Sequence, residues 1–100
     1  MNSLPTRENF FDRLNTVFQV SLDGNVEFEM TLIEVKTIVS NKIQECFSLL
    51  FRTAANDAPP LQQLFKLKHN DLGEMELFLV PVRKNEEGLF FEAVFNKLLA

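Results

Sequence analysis

The fold is decided by residues 17–30, VFQVSLDGNVEFEM, in which apolar and polar side chains alternate on both sides of an Asp-Gly-Asn turn. Alternation with a period of two is typical of half-buried β-strands. A two-residue turn would put Phe28 on the face opposite to Val20, whereas a three-residue loop keeps both on one face. The pairs that this loop predicts are Leu22 with Val26, Val20 with Phe28, and Phe18 with Met30. We therefore predict a three-residue hairpin loop, with Asn25 in the left-handed conformation.

The same alternation continues through the chain and predicts a single, mainly β domain over residues 1–100. Its architecture is a small six-stranded antiparallel barrel or sandwich with one short N-terminal helix. The helix is expected over residues 6–14, where Thr6 is the cap. The strands are expected over residues 16–22, 26–39, 46–53, 63–69, 74–83 and 89–96. After Leu32 the apolar positions of the second strand change from even to odd, which predicts a β-bulge near Leu32–Ile33.

The last two predicted strands are apolar on both faces, unlike the first hairpin. Their second face carries Phe78, Val80, Val82, Phe90 and Val94, which we name as the candidate protein interface. Monomers seldom expose an apolar patch of this size, so the face needs a cover. One cover is the N-terminal helix, through Phe10, Phe11 and Leu14, joined by Leu98 and Leu99. The helix is favoured because its apolar face is otherwise unassigned, and the alternative cover is another chain.

Charge and composition argue against several classes of function. Ten Lys and Arg stand against fourteen Asp and Glu, a net charge of −4, so nucleic acid and anionic membranes are not expected partners. The single cysteine excludes an intrachain disulfide. The longest apolar run, Leu77–Val82, is far shorter than the ~18–20 residues of a membrane span. With no apolar signal-peptide core at its polar start, the chain is expected in the cytoplasm.

His69 and Cys46 are the only imidazole and the only thiol of the chain. His69 would serve as a general base, or as a metal ligand together with Asp71 and Glu74. Metal sites usually combine several His or Cys at ligand spacing, which this sequence does not show, so we expect a surface histidine beside a turn. Cys46 follows Glu45 and lacks a neighbouring positive group that would stabilise a thiolate, so we expect a structural cysteine.

Two acidic pairs share a strand face, Glu27 with Glu29 and Glu74 with Glu76. Paired carboxylates serve as acid and base in some enzymes, but alternation with core residues is typical of a solvated strand face. Lys66 and Lys68 are expected opposite one of these pairs. The three glycines lie at predicted turns and form no phosphate-binding loop. We therefore expect no enzyme activity, no cofactor and no metal.

Four segments together resemble a known family: Ser21–Gly24 (SLDG), Phe47–Arg52 (FSLLFR), Leu72–Val82 (LGEMELFLVPV) and Phe91–Asn96 (FEAVFN). In this order they are similar to a family of small bacterial proteins of about this length, described only as a domain of unknown function. The resemblance spans nearly the whole chain and brings no catalytic residues with it. It implies an assembly or accessory component beside phage-tail-like or fibre-like proteins, and not an enzyme.

The expected function is therefore non-enzymatic binding of protein, either a second copy of the chain in a homo-oligomer or a larger assembly. Pro81 marks the fifth strand as an edge or a bulged strand, and an exposed edge beside an apolar face offers β-augmentation. The alternative is a small β-barrel that binds an apolar ligand among its eleven Phe side chains. Six short strands enclose little beyond their own side chains, so we expect a solid core made of Phe18, Phe28, Phe47, Phe51, Phe65 and Phe95.

Overall fold

Six antiparallel strands and one short helix make up the protein, which a computed structural model describes over residues 4–22, 26–54 and 58–98. The elements are α1 (Arg7–Phe11), β1 (Val17–Leu22), β2 (Val26–Ser40), β3 (Gln44–Thr53), β4 (Gln63–His69), β5 (Gly73–Asn85) and β6 (Gly88–Leu98). The strands form one sheet that closes into a ring in the order β1-β2-β3-β6-β5-β4. The predicted fold class, six antiparallel strands with one N-terminal helix, is confirmed.

The first hairpin has the register that the alternation predicts. Leu22 lies opposite Val26, Val20 opposite Phe28, and Phe18 opposite Met30. The loop residues 23–25, including the conformation predicted for Asn25, lie outside the described residues. Because the register puts Phe18, Val20, Phe28 and Met30 on one face, that face is buried while the residues between them are exposed.

Bulges bend the longer strands so that the sheet can close. The predicted bulge is confirmed, since the β2–β3 register shifts between Leu32 and Glu34. A second shift, between Thr37 and Val39, was not predicted. A third lies between Pro81 and Arg83 in the β5–β6 pair and confirms β5 as a bulged strand. Each extra residue increases the local twist and changes which side chains face each other downstream.

The helix α1 begins at a capping box, in which Thr6 Oγ1 accepts from Asn9 N at 3.1 Å and Asn9 Oδ1 accepts from Thr6 N at 3.0 Å. It ends at Phe11 and not at Leu14 as predicted. Asn15 has a φ of 66°, and its N–H donates to Leu32 O at 2.7 Å, which directs the chain into β1. Within the described ranges, no helix is long and apolar enough to cross a membrane.

The inside of the ring is filled with aromatic rings in contact. The centroids of Phe18 and Phe51 are 5.3 Å apart, those of Phe28 and Phe65 are 6.2 Å apart, and those of Phe65 and Phe91 are 5.6 Å apart. At one end, Phe10 of α1 is fully buried against Phe47 at 6.4 Å and Phe95 at 5.6 Å. The expected solid Phe core is confirmed, and α1 plugs one end of it.

Candidate functional site

An apolar patch lies on the outer face of the sheet, across β4, β5 and β6. It consists of Leu64, Phe78, Val80, Val82 and Val94, and we call it the outer patch. Leu64 and Phe78 are direct cross-strand partners and are 54% and 53% exposed. Val80 is half-buried and lies opposite Glu92, which makes Val94 its diagonal neighbour on β6. Four of the five predicted interface residues therefore belong to this patch, together with Leu64, which the sequence argument did not identify.

Phe90, the fifth predicted interface residue, is not part of the accessible surface. It is 3% exposed, because the bulge after Pro81 puts Arg83 opposite it. The Arg83 guanidinium carbon lies 4.2 Å from the centre of the Phe90 ring, in a cation–π contact. On its other side Phe90 pairs with Arg52 of β3. The prediction that Phe90 is an exposed interface residue is therefore wrong.

The helix does not cover the outer patch, although it was the favoured cover. Phe10 points into the ring, onto Phe47 and Phe95, and Leu14 packs against the same core. Phe11 is 54% exposed, Leu98 is 74% exposed, and Leu99 lies outside the described residues. The apolar side of α1 therefore packs on the interior of the ring. The outer patch stays exposed to solvent.

Charged side chains border the outer patch on β4 and β5. Lys66 lies opposite Glu76, directly beside the Leu64–Phe78 pair, and Lys68 lies opposite Glu74. The prediction that these lysines face an acidic pair is confirmed. Opposite charges across neighbouring strands stabilise a solvated face by roughly 0.2–1 kcal/mol a pair. The four residues therefore form a charged ladder, and the patch ends where the ladder begins.

Two surface grooves lie on the sheet, one across β1, β4 and β5 and the other across β1, β2 and β3. One, of about 560 Å³, is lined mainly by exposed polar side chains such as Gln19, Lys68 and Glu74. The other, of about 420 Å³, includes Glu29 and Arg52. Both lie on strand faces with charged side chains, whereas the interior contains packed Phe rings. An apolar ligand inside the ring would have to displace those rings.

His69 is buried at the end of β4, where it is 5% exposed, so the prediction of a surface histidine is wrong. Its Nδ1 accepts hydrogen bonds from Asp71 N at 3.0 Å and from Leu72 N at 3.3 Å. Since two N–H groups point at Nδ1, the ring proton is on Nε2, which donates to Thr16 Oγ1 at 2.9 Å. The Thr16 hydroxyl in turn donates to Arg13 O at 2.6 Å.

The surroundings of His69 favour its neutral form. Desolvation lowers the pKa of the imidazole below its usual 6.5, the nearby Asp71 carboxylate raises it, and the Arg13 guanidinium lowers it. Arg13 Nε and Asp71 Oδ2 are 3.1 Å apart, above the turn. Because both ring nitrogens bond within the protein, neither is available as a general base or a metal ligand. Nothing local in the sequence marks this site, since Thr16 is 53 positions away.

The remaining candidate groups are spread over the sheet. Cys46 is a free, half-buried thiol on β3, opposite Val39 and Asn96. Glu29 accepts from Gln19 Nε2 at 2.7 Å across the first hairpin. Within the described parts of the chain, no three His, Cys, Asp or Glu side chains are grouped as ligands of one metal ion. The outer patch is thus the surface feature that most needs a functional explanation.

Comparison with known protein families matches most of the chain. The model of a family described as Domain of unknown function (DUF6916) matches residues 5–95. This confirms the resemblance to a family known only as a domain of unknown function. Searches of the curated proteins and of the solved structures found no match.

Proposed function

The chain belongs to the DUF6916 family, and because that description assigns no activity, we propose from its own surface that it is a non-enzymatic protein-binding domain. The outer patch is its binding surface. The observation that carries the proposal is the pair Leu64 and Phe78, which stand side by side on a regular strand face and are each more than half exposed. An aromatic ring held at this exposure on a rigid sheet is typical of an interface anchor.

The patch has the anatomy of an interface centre. Leu64 lies directly opposite Phe78, Val80 follows two positions along β5, and the charged ladder borders the patch on one side. Stable interfaces bury about 800 Å² on each partner, around an apolar centre with a polar rim. The patch supplies the centre, and Lys66 and Glu76 belong to the rim. Opposite charges in the rim favour a partner surface with both signs of charge, as many protein surfaces have, over a uniformly charged nucleic acid.

The partner is a protein, either a second copy of the chain or a component of a larger assembly. A phage-tail-like or fibre-like assembly, bacterial origin and a cytoplasmic location stay predictions of the sequence argument. The alternative function, binding of an apolar ligand inside the ring, has no supporting observation, because rings such as Phe65 and Phe91 fill that space.

Substitution of Phe78 by Lys tests the proposal, with Phe11→Lys as a matched control. The two side chains are 53% and 54% exposed, but Phe11 lies on α1, which contacts β2, whereas Phe78 lies on β5. Light scattering after size exclusion measures self-association, and cross-linking in a lysate of the source organism measures other partners. Protein concentration is read by refractive index, because the chain has no Trp or Tyr.

We expect Phe78→Lys to weaken association at least tenfold while Phe11→Lys leaves it unchanged. A wild-type chain that stays monomeric, with no cross-linked partner that Phe78→Lys removes, contradicts the proposal. Equal loss in both variants would show that the outer patch is not the specific surface.

A further inference from the structure

The charged ladder beside the outer patch carries its two signs of charge on separate strands. Both lysines, Lys66 and Lys68, lie on β4, and both glutamates, Glu74 and Glu76, lie on β5. We propose that the partner of the outer patch is a second copy of this chain, packed face to face so that β4 of each copy lies over β5 of the other. This inference rests on the proposed function, because it names the partner of the same surface.

The four charges of the ladder are available to a second molecule. All four side chains are exposed. Within the parts of the chain that the structure describes, the ion pairs lie on α1 and between Arg13 and Asp71, and neither includes a ladder residue. On the other side of β4, the lysines face the uncharged Ser21 and Gln19 of β1. The outer face therefore presents a purely basic row on β4 beside a purely acidic row on β5.

A two-fold axis that runs along the strands, between β4 and β5, makes this face complementary to itself. Such an axis exchanges the two strands, so each ladder lysine lies over the glutamate of the same row in the other copy. In the adjacent row, Leu64 lies over Phe78 of the other copy. Packed sheets are about 10 Å apart, a gap that Lys and Glu side chains from both sides can bridge. One operation thus pairs the charges and covers the apolar centre.

The separation of the charges by strand selects this axis and this partner. A two-fold axis across the strands would put β4 over β4, and lysine would then lie over lysine. Sheets that pack face to face keep their strands within about 30° of each other, so the rows nearest the axis along the strands stay aligned. A different protein would need a basic and an acidic row on adjacent strands in the reverse order. A second copy supplies that order by symmetry.

Reversal of the charges on one strand tests the pairing. The acidic variant is K66E/K68E and the basic variant is E74K/E76K, and circular dichroism checks that each is folded. Each variant puts like charges over like charges, so its self-association, measured by light scattering over a concentration series, should be at least about tenfold weaker than that of the wild type. The control K42E/K97E changes the net charge as the acidic variant does, but its positions lie outside β4 and β5, and it should dimerise like the wild type.

Mixtures of variants identify how the two copies are arranged. The acidic and basic variants should form a mixed dimer with each other, because every ladder charge then meets its opposite. The reversed variant, K66E/K68E/E74K/E76K, keeps opposite charges across β4 and β5 within the chain and should form its own dimer as tightly as the wild type. It should not form mixed dimers with the wild type, because lysine would lie over lysine. Native mass spectrometry with one isotope-labelled component separates these species.

Preferential mixed dimers between the wild type and the reversed variant would show an axis across the strands and overturn the arrangement. The inference is also overturned by a wild type that stays monomeric up to about 1 mM, or by a dimer that neither Phe78→Lys nor the acidic variant weakens. A monomeric wild type with a cross-linked partner that Phe78→Lys removes would overturn the second copy and support the proposed function. Absence of both the dimer and such a partner contradicts the two proposals together.

Discussion

The contrast between Phe90 and Phe78 gives the sharpest test of the fold. Both rings lie on the outer face of the last hairpin, but Phe90 is 3% exposed and Phe78 is 53% exposed. Phe→Ala in a fully buried site costs about 3–5 kcal/mol, and the flexible Arg83 above Phe90 can partly fill the space, so we expect about 3 kcal/mol. Complete burial of a Phe stabilises by about 1.5–3 kcal/mol, so the half-buried Phe78 should lose about 1 kcal/mol.

Urea unfolding followed by far-ultraviolet circular dichroism measures both values, since the sheet supplies the signal. For a domain of this size a loss of 3 kcal/mol corresponds to a decrease in Tm of roughly 12–24 °C. Arg83→Met isolates the cation–π contact. It should lower the free energy of unfolding by about 0.5–1 kcal/mol in the wild type and leave it unchanged in the Phe90→Ala background. If Phe90→Ala costs no more than Phe78→Ala, the bulge does not place Arg83 over the ring and our account of the hairpin is wrong.

Four further substitutions test local features of the sheet and the helix. Gly88→Ala should destabilise the fold by at least about 2 kcal/mol, because φ is +134° and the new Cβ would meet the Thr53 carbonyl oxygen. Gly73→Ala, at φ +81° with open space around it, should destabilise the fold by about 1 kcal/mol. Thermal unfolding compares the two variants. Phe28→Ala should cost about 3–5 kcal/mol in urea unfolding, since the ring is 7% exposed. Thr6→Ala should reduce the protection of the Phe10 amide severalfold and leave global stability within about 1 kcal/mol, because it removes the helix cap.

The features that the sequence predicts well are those that depend on side-chain parity. The register of the first hairpin follows from keeping Phe18, Val20 and Phe28 on one face, and the bulge after Leu32 follows from the change of parity there. In both cases a register shift by one residue would expose a whole row of apolar side chains to solvent. The local sequence alone is enough to predict this penalty. The family resemblance is confirmed by a match over residues 5–95.

The features that the sequence predicts badly depend on partners from distant strands. Burial of Phe90 requires the bulge near Val82, and the pattern on β5 does not reveal this bulge because both of its faces are apolar. Burial of His69 requires Thr16 and Phe18 at the start of β1, a strand that pairs with β4 although it is distant in sequence. The position of α1 depends on the stacked rings of Phe47 and Phe95, which come together only when β3 and β6 pair.

The different exposure of Phe78 and Phe90 indicates that an apolar outer face does not by itself leave a ring exposed. The fold can cover an outer ring with a cation from the opposite strand position, as Arg83 does for Phe90, but Leu64 occupies the equivalent position opposite Phe78. Leu64→Arg should therefore place a guanidinium over Phe78 without disturbing the core. We expect the free energy of unfolding to stay equal or rise by about 0.5–1 kcal/mol, and association through the patch to be lost. If Leu64→Arg folds with unchanged stability and still binds its partner as tightly as the wild type, an exposed Phe78 is not what the partner recognises.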